Sequence, residues 1–225
     1  MTAQASATTT GSSYRVAGWA AITNGVVGIM AFGFLITAVA GRVSSGDERS
    51  WELLVRTHDV GVILQSVLMI PVVFAIHSLG RQHSPGVSQA TAAVGVVALS
   101  LIVLFVLLIF VNVVWDVMYM VPQGVLGMWL IVVNRLVSSE LPRSLTRLGT
   151  VAGVGLVLVA AFPIGYGIFV DPIGFHGPVP FDYMPPQSNT ANAIIHIVLL
   201  IGTFMGVTTY PIWAALLGRR LLRKS

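Results

Sequence analysis

The chain has 225 residues, of which 56% are hydrophobic and only 9% charged. Soluble domains carry about 25% charged residues, so this composition cannot cover a water-facing surface and implies a bilayer protein. With no cysteine, disulfides, thiolate metal sites, iron–sulfur clusters and thiol nucleophiles are excluded.

Residues 1–13 are uncharged and rich in Ser, Thr and Ala. They predict a disordered tail ahead of a single domain over 14–225. The first apolar run, 16–41, exceeds the roughly 20 residues that a span needs. Gly18, Ala21, Gly25 and Gly28 recur on one helical face and suit close helix packing. Ala38-Val39-Ala40 resembles a signal-peptidase site, but the run is longer than the apolar part of a signal, about 7–15 residues, and is read as a retained span. A charged turn carrying Arg42, Asp47, Glu48 and Arg49 leads to a second span over 52–79, with Arg56, His58 and Asp59 in its first turns and Pro71 inside it.

Residues 90–137 are apolar almost throughout and must hold two spans, 90–112 and 117–137. The break between them falls near Asn112 to Pro122, because Asp116 is the one charge there and proline suits a first helical turn. A basic turn with Arg135, Arg143 and Arg147 precedes the fifth span, 149–170. The segment from Asp171 to Asn189 is the one long stretch that cannot be a membrane helix, being acidic, aromatic and rich in proline. It leads into the sixth span, 190–217, and the chain ends in a basic tail.

The expected fold is thus all-α: a polytopic membrane helix bundle of six transmembrane helices. With six spans both termini share one side. That side holds Arg15, Arg81, Arg135, Arg143, Arg147, Arg219, Arg220, Arg223 and Lys224, nine of the twelve basic residues. Seven of the eight acids lie on the other. The positive-inside rule then places both termini in the cytoplasm. The net charge of +4 is a topology signal, with contact to anionic head groups, and does not point to nucleic acid.

Polar residues inside the spans converge. Asn189, Asn192, His196, Thr203 and Tyr210 lie on one face of the sixth span; His58 and Gln65 share a face of the second, with Asp59 beside it; Tyr119, Gln123, Gly127 and Asn134 align on the fourth, and Asp116 lies at its outer boundary. His58, Asp59 and His196 each lie roughly 9 Å below the outer surface at 1.5 Å per residue. Ionisable groups at such depth face one another or water. These spacings predict an outward-opening polar pocket formed by His58, Asp59, Gln65, Asp116, Gln123, Asn192 and His196, with Asp171, His176, Asp182 and Tyr183 of the long loop as a lid. The third span has no polar stripe and is expected to be the most lipid-exposed. Trp19, Trp51, Trp115 and Trp213 read as interface aromatics, and His77 and His83 as solvent or head-group contacts.

Three functions stay open. The pocket suits binding or transport of a small molecule, or proton-linked transport, since a histidine beside a carboxylate titrates near physiological pH. The same residues suit a membrane enzyme or redox subunit with a divalent metal or a haem at His58 and His196, although no local ligand motif demands either. A structural subunit, held by a membrane-protein partner or by a second copy, would use the polar residues only to join helices.

Three stretches carry a family likeness. They are Tyr14-Arg15-Val16-Ala17-Gly18-Trp19; Gly127-Met128-Trp129-Leu130 continuing to Leu141-Pro142-Arg143-Ser144-Leu145 and Gly149-Thr150-Val151-Ala152-Gly153; and Tyr210-Pro211-Ile212-Trp213 with Leu217-Gly218-Arg219-Arg220-Leu221. Together they resemble a group of bacterial multi-span membrane proteins known as domain of unknown function 4386. The resemblance implies six helices and a bacterial cytoplasmic membrane. It implies no activity, and none of the pocket residues belongs to the shared stretches.

Overall fold

A computed structural model describes residues 2–45, 48–81, 84–175, 177 and 190–225. The described residues are helical apart from short connections: α1 (Thr2–Ser45), α2 (Glu48–Gly80), α3 (Pro85–Phe110), α4 (Met120–Leu136), α5 (Arg143–Phe169), a short 3-10 turn (Pro172–Phe175), α6 (Thr190–Gly202), a π turn (Thr203–Val207) and α7 (Thr209–Leu222). Helices satisfy every backbone donor and acceptor internally, which is what lipid requires of a spanning segment. Five helices are long and apolar enough to cross a membrane, and the last of them, Thr190–Leu222, runs through the π turn. The sixth, α4, is shorter. Its 17 residues rise about 25 Å, less than the roughly 30 Å of a bilayer core.

One boundary differs from expectation and a second falls within it. The stretch 1–13, expected as a disordered tail, is helical from Thr2 onward; it contains no proline, and extending an established helix costs far less than nucleating one. The break after α3 lies at the start of its expected window. Asn112 has φ +56°. Its N–H donates to the Ile109 carbonyl at 2.9 Å, and the Val113 N–H to the Leu108 carbonyl at 2.9 Å. This is a Schellman close, with asparagine in the left-handed position that it tolerates better than other side-chain-bearing residues.

The helices form a closed ring in chain order. From α1 to α5 each packs on the next, the continuous α6–π turn–α7 span packs on α5, and α7 returns to α1. One end is basic. There Ser78 Oγ donates to Tyr14 Oη at 2.9 Å, His77 Nδ1 pairs with Ser88 Oγ at 2.8 Å, and Lys224 pairs with Glu140 at 2.8 Å. His77 thus joins α2 to α3 and is not the solvent contact expected. Tyr14, Gly18, Leu222 and Lys224 all lie at this end. The opposite, acidic end carries the 111–119 connection and the start of α2.

Glycines set the closest crossings. A Cβ at Gly18 would meet Leu222 at 2.7 Å, and one at Gly25 would meet the Pro211 carbonyl at 2.6 Å, so α1 lies hard against α7. Gly127 and Gly153 each face the other's carbonyl, which brings α4 onto α5. Gly149 leaves room for the indole of Trp213, whose Nε1 donates to Asn134 Oδ1 at 3.3 Å. Trp213 is fully buried, a correction to its reading as an interface aromatic.

The π turn has a local cause. Pro211 has no N–H to give and its ring crowds the preceding turn. The ladder widens before it: the Thr208 N–H reaches back five residues to Thr203. The Thr208 and Thr209 hydroxyls donate to the Phe204 and Met205 carbonyls.

Large apolar side chains are exposed on the long helices, among them Ile29, Phe74, Leu104, Ile168, Ile197 and Phe204. Such surface marks contact with lipid or protein. The least covered helix is α6, not α3: Gly202 is its one buried residue, whereas α3 buries Ala92, Gly95, Leu99, Ile102, Val106 and Ile109 along one face. The polar stripe of the sixth span therefore did not make it interior.

Candidate functional site

A cavity of about 70 Å³ lies in the middle of the ring. Water takes about 30 Å³ in the liquid, so the space matches two waters or one small polar group. Its polar lining is His58, Gln65 and Ser66 of α2, Tyr119 and Gln123 at the start of α4, Thr203 of the π turn and Tyr210 of α7. Phe32, Leu35, Val62, Ile102, Leu126 and Val159 are among the apolar side chains that complete it.

Local packing holds these groups. Gly28 on α1 has no side chain because Gln65 occupies that volume: a Cβ there would lie 2.0 Å from Gln65 Nε2. At the same level Asn24 Nδ2 donates to the Gln65 carbonyl at 2.6 Å, and Gln65 Nε2 reaches the Asn24 carbonyl at 3.5 Å. The two amides thus stitch α1 to α2. Asn24 is fully buried, and its side chain interacts with the Tyr210 hydroxyl on the cavity wall.

His58 closes the cavity toward the acidic end. Its Nδ1 lies 3.0 Å from the Ala31 carbonyl and its Nε2 3.2 Å from the Tyr119 hydroxyl. A carbonyl only accepts, so Nδ1 carries the proton; the neutral ring then accepts the Tyr119 O–H at Nε2. His58 and Tyr119 are both buried, and the bond links α2 to the residue just ahead of α4.

Charged groups collect above this pair. Asp59 is buried next to His58 in sequence. Arg56 acts electrostatically on both Asp59 and Asp116, and Tyr119 feels both acids. The Arg56 guanidinium also lies over the Phe110 ring, 5.2 Å from its centroid. Partial burial raises the Asp116 carboxyl above its ordinary value, and Arg56 draws it back down.

The structure brings His58, Gln65 and Gln123 together on one cavity. Asp59 and Asp116 lie beside it without lining it. Asn192 and His196 are not part of it. His196 is exposed, with Nδ1 on the carbonyl of Asn192 at 2.8 Å and its ring edge-on to Phe162 at 5.3 Å. Phe162 in turn packs with Tyr166 and Trp115. The physical reason is that α6 packs on α5 and not on α2, so equal depth did not bring the two histidines together. A haem or metal shared by His58 and His196 does not fit this geometry, since both ring nitrogens of His58 are already bonded. Among the described residues no group of three or more His, Asp or Glu is placed to hold a metal ion.

Of the expected lid, Asp171 accepts the Ile173 N–H at 2.9 Å and so caps the 3-10 turn. Phe175 from that turn lies over Gly167 of α5. His176, Asp182 and Tyr183 lie outside the described residues.

Reading the sequence missed Asn24, Ser66, Tyr119, Thr203 and Tyr210 as site residues. Thr203 and Tyr210 stood on the stripe of the sixth span, and Tyr119 on that of the fourth. Asn24 had its own signal, a lone amide among the glycines of the first span. Compared with known proteins, the chain matches no family model, no curated protein and no solved structure, so the likeness to domain of unknown function 4386 rests on the quoted stretches alone.

Proposed function

We propose that this chain is a six-span protein of the bacterial cytoplasmic membrane, with both termini in the cytoplasm, whose central cavity binds a small uncharged molecule by hydrogen bonds. The observation that carries this reading is the lining: seven polar side chains, none of them Asp, Glu, Lys or Arg, meet in a cavity otherwise apolar. Such a mix of apolar wall and a few converging polar groups is typical of small-molecule sites. Entry is from the acidic end, past the His58–Tyr119 bond, where Asp59 and Asp116, under the charge of Arg56, offer a relay for protons if passage is proton-linked. Membership of the domain of unknown function 4386 group belongs to this proposal and supports the bacterial membrane.

Two measurements test it. The chain has no native cysteine, so single cysteines report topology cleanly. One at Ser188 is expected to react with an impermeant maleimide from outside intact cells, and one at Ser225 only after permeabilisation; the reverse pattern overturns the orientation. For binding, thermal unfolding in detergent is followed against urea, acetamide, glycerol and propanol for wild type and Gln123→Met, a replacement of similar size without the amide. At least one solute is expected to raise Tm in wild type and leave Gln123→Met unmoved. Equal responses of both proteins to every solute would reduce the cavity to a packing void.

A further inference from the structure

A second concavity lies at the basic end, between the first turns of α5 and the last turns of α7. Its volume is about 460 Å³, within the roughly 300–1,000 Å³ of small-molecule sites. One wall is Pro142, Ser144, Leu145 and Leu148; the other is Leu216, Arg219, Arg220 and Arg223. The leucines lie toward the middle of the bundle and the arginines toward its end, so the groove is graded from apolar to cationic along the helix axes.

No acid lines the groove. The nearest acid in sequence to either wall, Glu140, is paired with Lys224 at 2.8 Å. Arg219 and Arg223 are exposed, and Arg220 is half-buried with its Nε shut off from solvent and without a hydrogen-bond partner. A desolvated guanidinium nitrogen is costly unless an acceptor reaches it. The start of α5 adds to the demand. Its N-cap is Pro142, which makes no side-chain cap, and uncapped first-turn N–H groups with the positive end of the helix dipole favour an anion. A positive-inside bias alone would scatter arginines over this end. Here three of them line one groove with a leucine floor.

We propose that this groove holds an anionic phospholipid, its phosphate on Arg219, Arg220 and Arg223 and its upper acyl chain along Leu145, Leu148 and Leu216. The inference rests on the chain being a membrane protein but not on which side the groove faces, because the test is made in detergent and the topology is read separately by cysteine labelling.

Purified protein is delipidated and offered dioleoyl phosphatidylglycerol or dioleoyl phosphatidylcholine, which share their acyl chains. Bound lipid is counted by native mass spectrometry. Wild type is expected to retain the anionic lipid about tenfold better, the scale set by a few basic residues at a membrane surface. Arg219→Gln/Arg220→Gln/Arg223→Gln is expected to lose that preference. The exposed pair Arg219→Gln/Arg223→Gln is expected to lose most of it and keeps the test decisive if Arg220→Gln prevents folding. Arg81→Gln/Arg135→Gln/Arg147→Gln, at the same end but outside the groove, is expected to keep it. Equal retention of the two lipids by wild type, or equal loss in both triple variants, overturns the proposal. So does competition by millimolar glycerol 3-phosphate, which would make the groove a site for soluble phosphates.

Discussion

Gly155→Ala is expected to be among the most damaging single substitutions in the chain, although it adds one methyl group. A Cβ there would lie 2.0 Å from Gly206 N, 2.4 Å from Met205 C and 2.5 Å from Gly206 Cα. All three are backbone atoms, so no side chain can rotate away and α5 must separate from the π turn. Gly206 is hemmed in reciprocally by Gly155 and Leu156. Overpacking typically costs about 1–3 kcal/mol, and a backbone-to-backbone clash belongs at about 3 kcal/mol or above. Gly33→Ala is the matched control. Nothing lies within 4 Å of its would-be Cβ, so the substitution is expected to stabilise the helix by up to about 1 kcal/mol through propensity. Equilibrium unfolding of both variants in mixed detergent reads the two signs directly. The packing account fails if Gly155→Ala costs no more than Gly33→Ala. Because Thr203, Val207 and Tyr210 line the cavity from this side, Gly155→Ala is also expected to abolish any solute-induced rise in Tm.

That pair shows what the sequence discloses and what it withholds. The spacing of Gly18, Gly25 and Gly28 names a packing face, and the structure seats it on α7, with Gln65 over Gly28. The lengths of the apolar runs give the helices, and Asn112 falls within the predicted break. Which helices are neighbours is another matter. A rise of about 1.5 Å per residue fixes depth along the bundle axis but says nothing about position around it. His58 and His196 share a depth and part company around the ring, because α6 leans on α5 through Gly202 and Gly155. Trp213 shows the same limit. An indole near the end of the last span reads as an interface residue until Gly149 is seen to clear its space and Asn134 to accept its N–H. Gly149 and Trp213 are 64 positions apart, and nothing local to either one announces the other.

The His58–Tyr119 bond is where the fold and the proposed site depend on one interaction. His58→Ala removes a buried ring and both of its bonds, and is expected to cost about 2–4 kcal/mol, as large-to-small changes at buried sites do. Tyr119→Phe removes only the hydroxyl, and hydrogen bonds between membrane helices are worth about 0.6 kcal/mol on average and up to about 1.7. If the two side chains act through their bond, the double variant falls short of additivity by about that amount. Additivity within about 0.3–0.5 kcal/mol would mean that the contact carries no energy. His58→Gln separates the chemistry from the shape. Glutamine keeps one donor for the Ala31 carbonyl and one acceptor for the Tyr119 hydroxyl, so it is expected to recover stability that His58→Ala loses. It has no basic nitrogen to take up a proton as imidazole does. A protonated ring would carry N–H at both positions and would donate to the Tyr119 oxygen, which reverses that bond and frees the Tyr119 O–H for the acids that act on it, Asp59 and Asp116. In a vesicle assay of proton-linked passage, His58→Gln is therefore expected to fold and to bind, yet to lose the dependence on a pH gradient. If His58→Gln keeps that dependence, the gate is not this histidine.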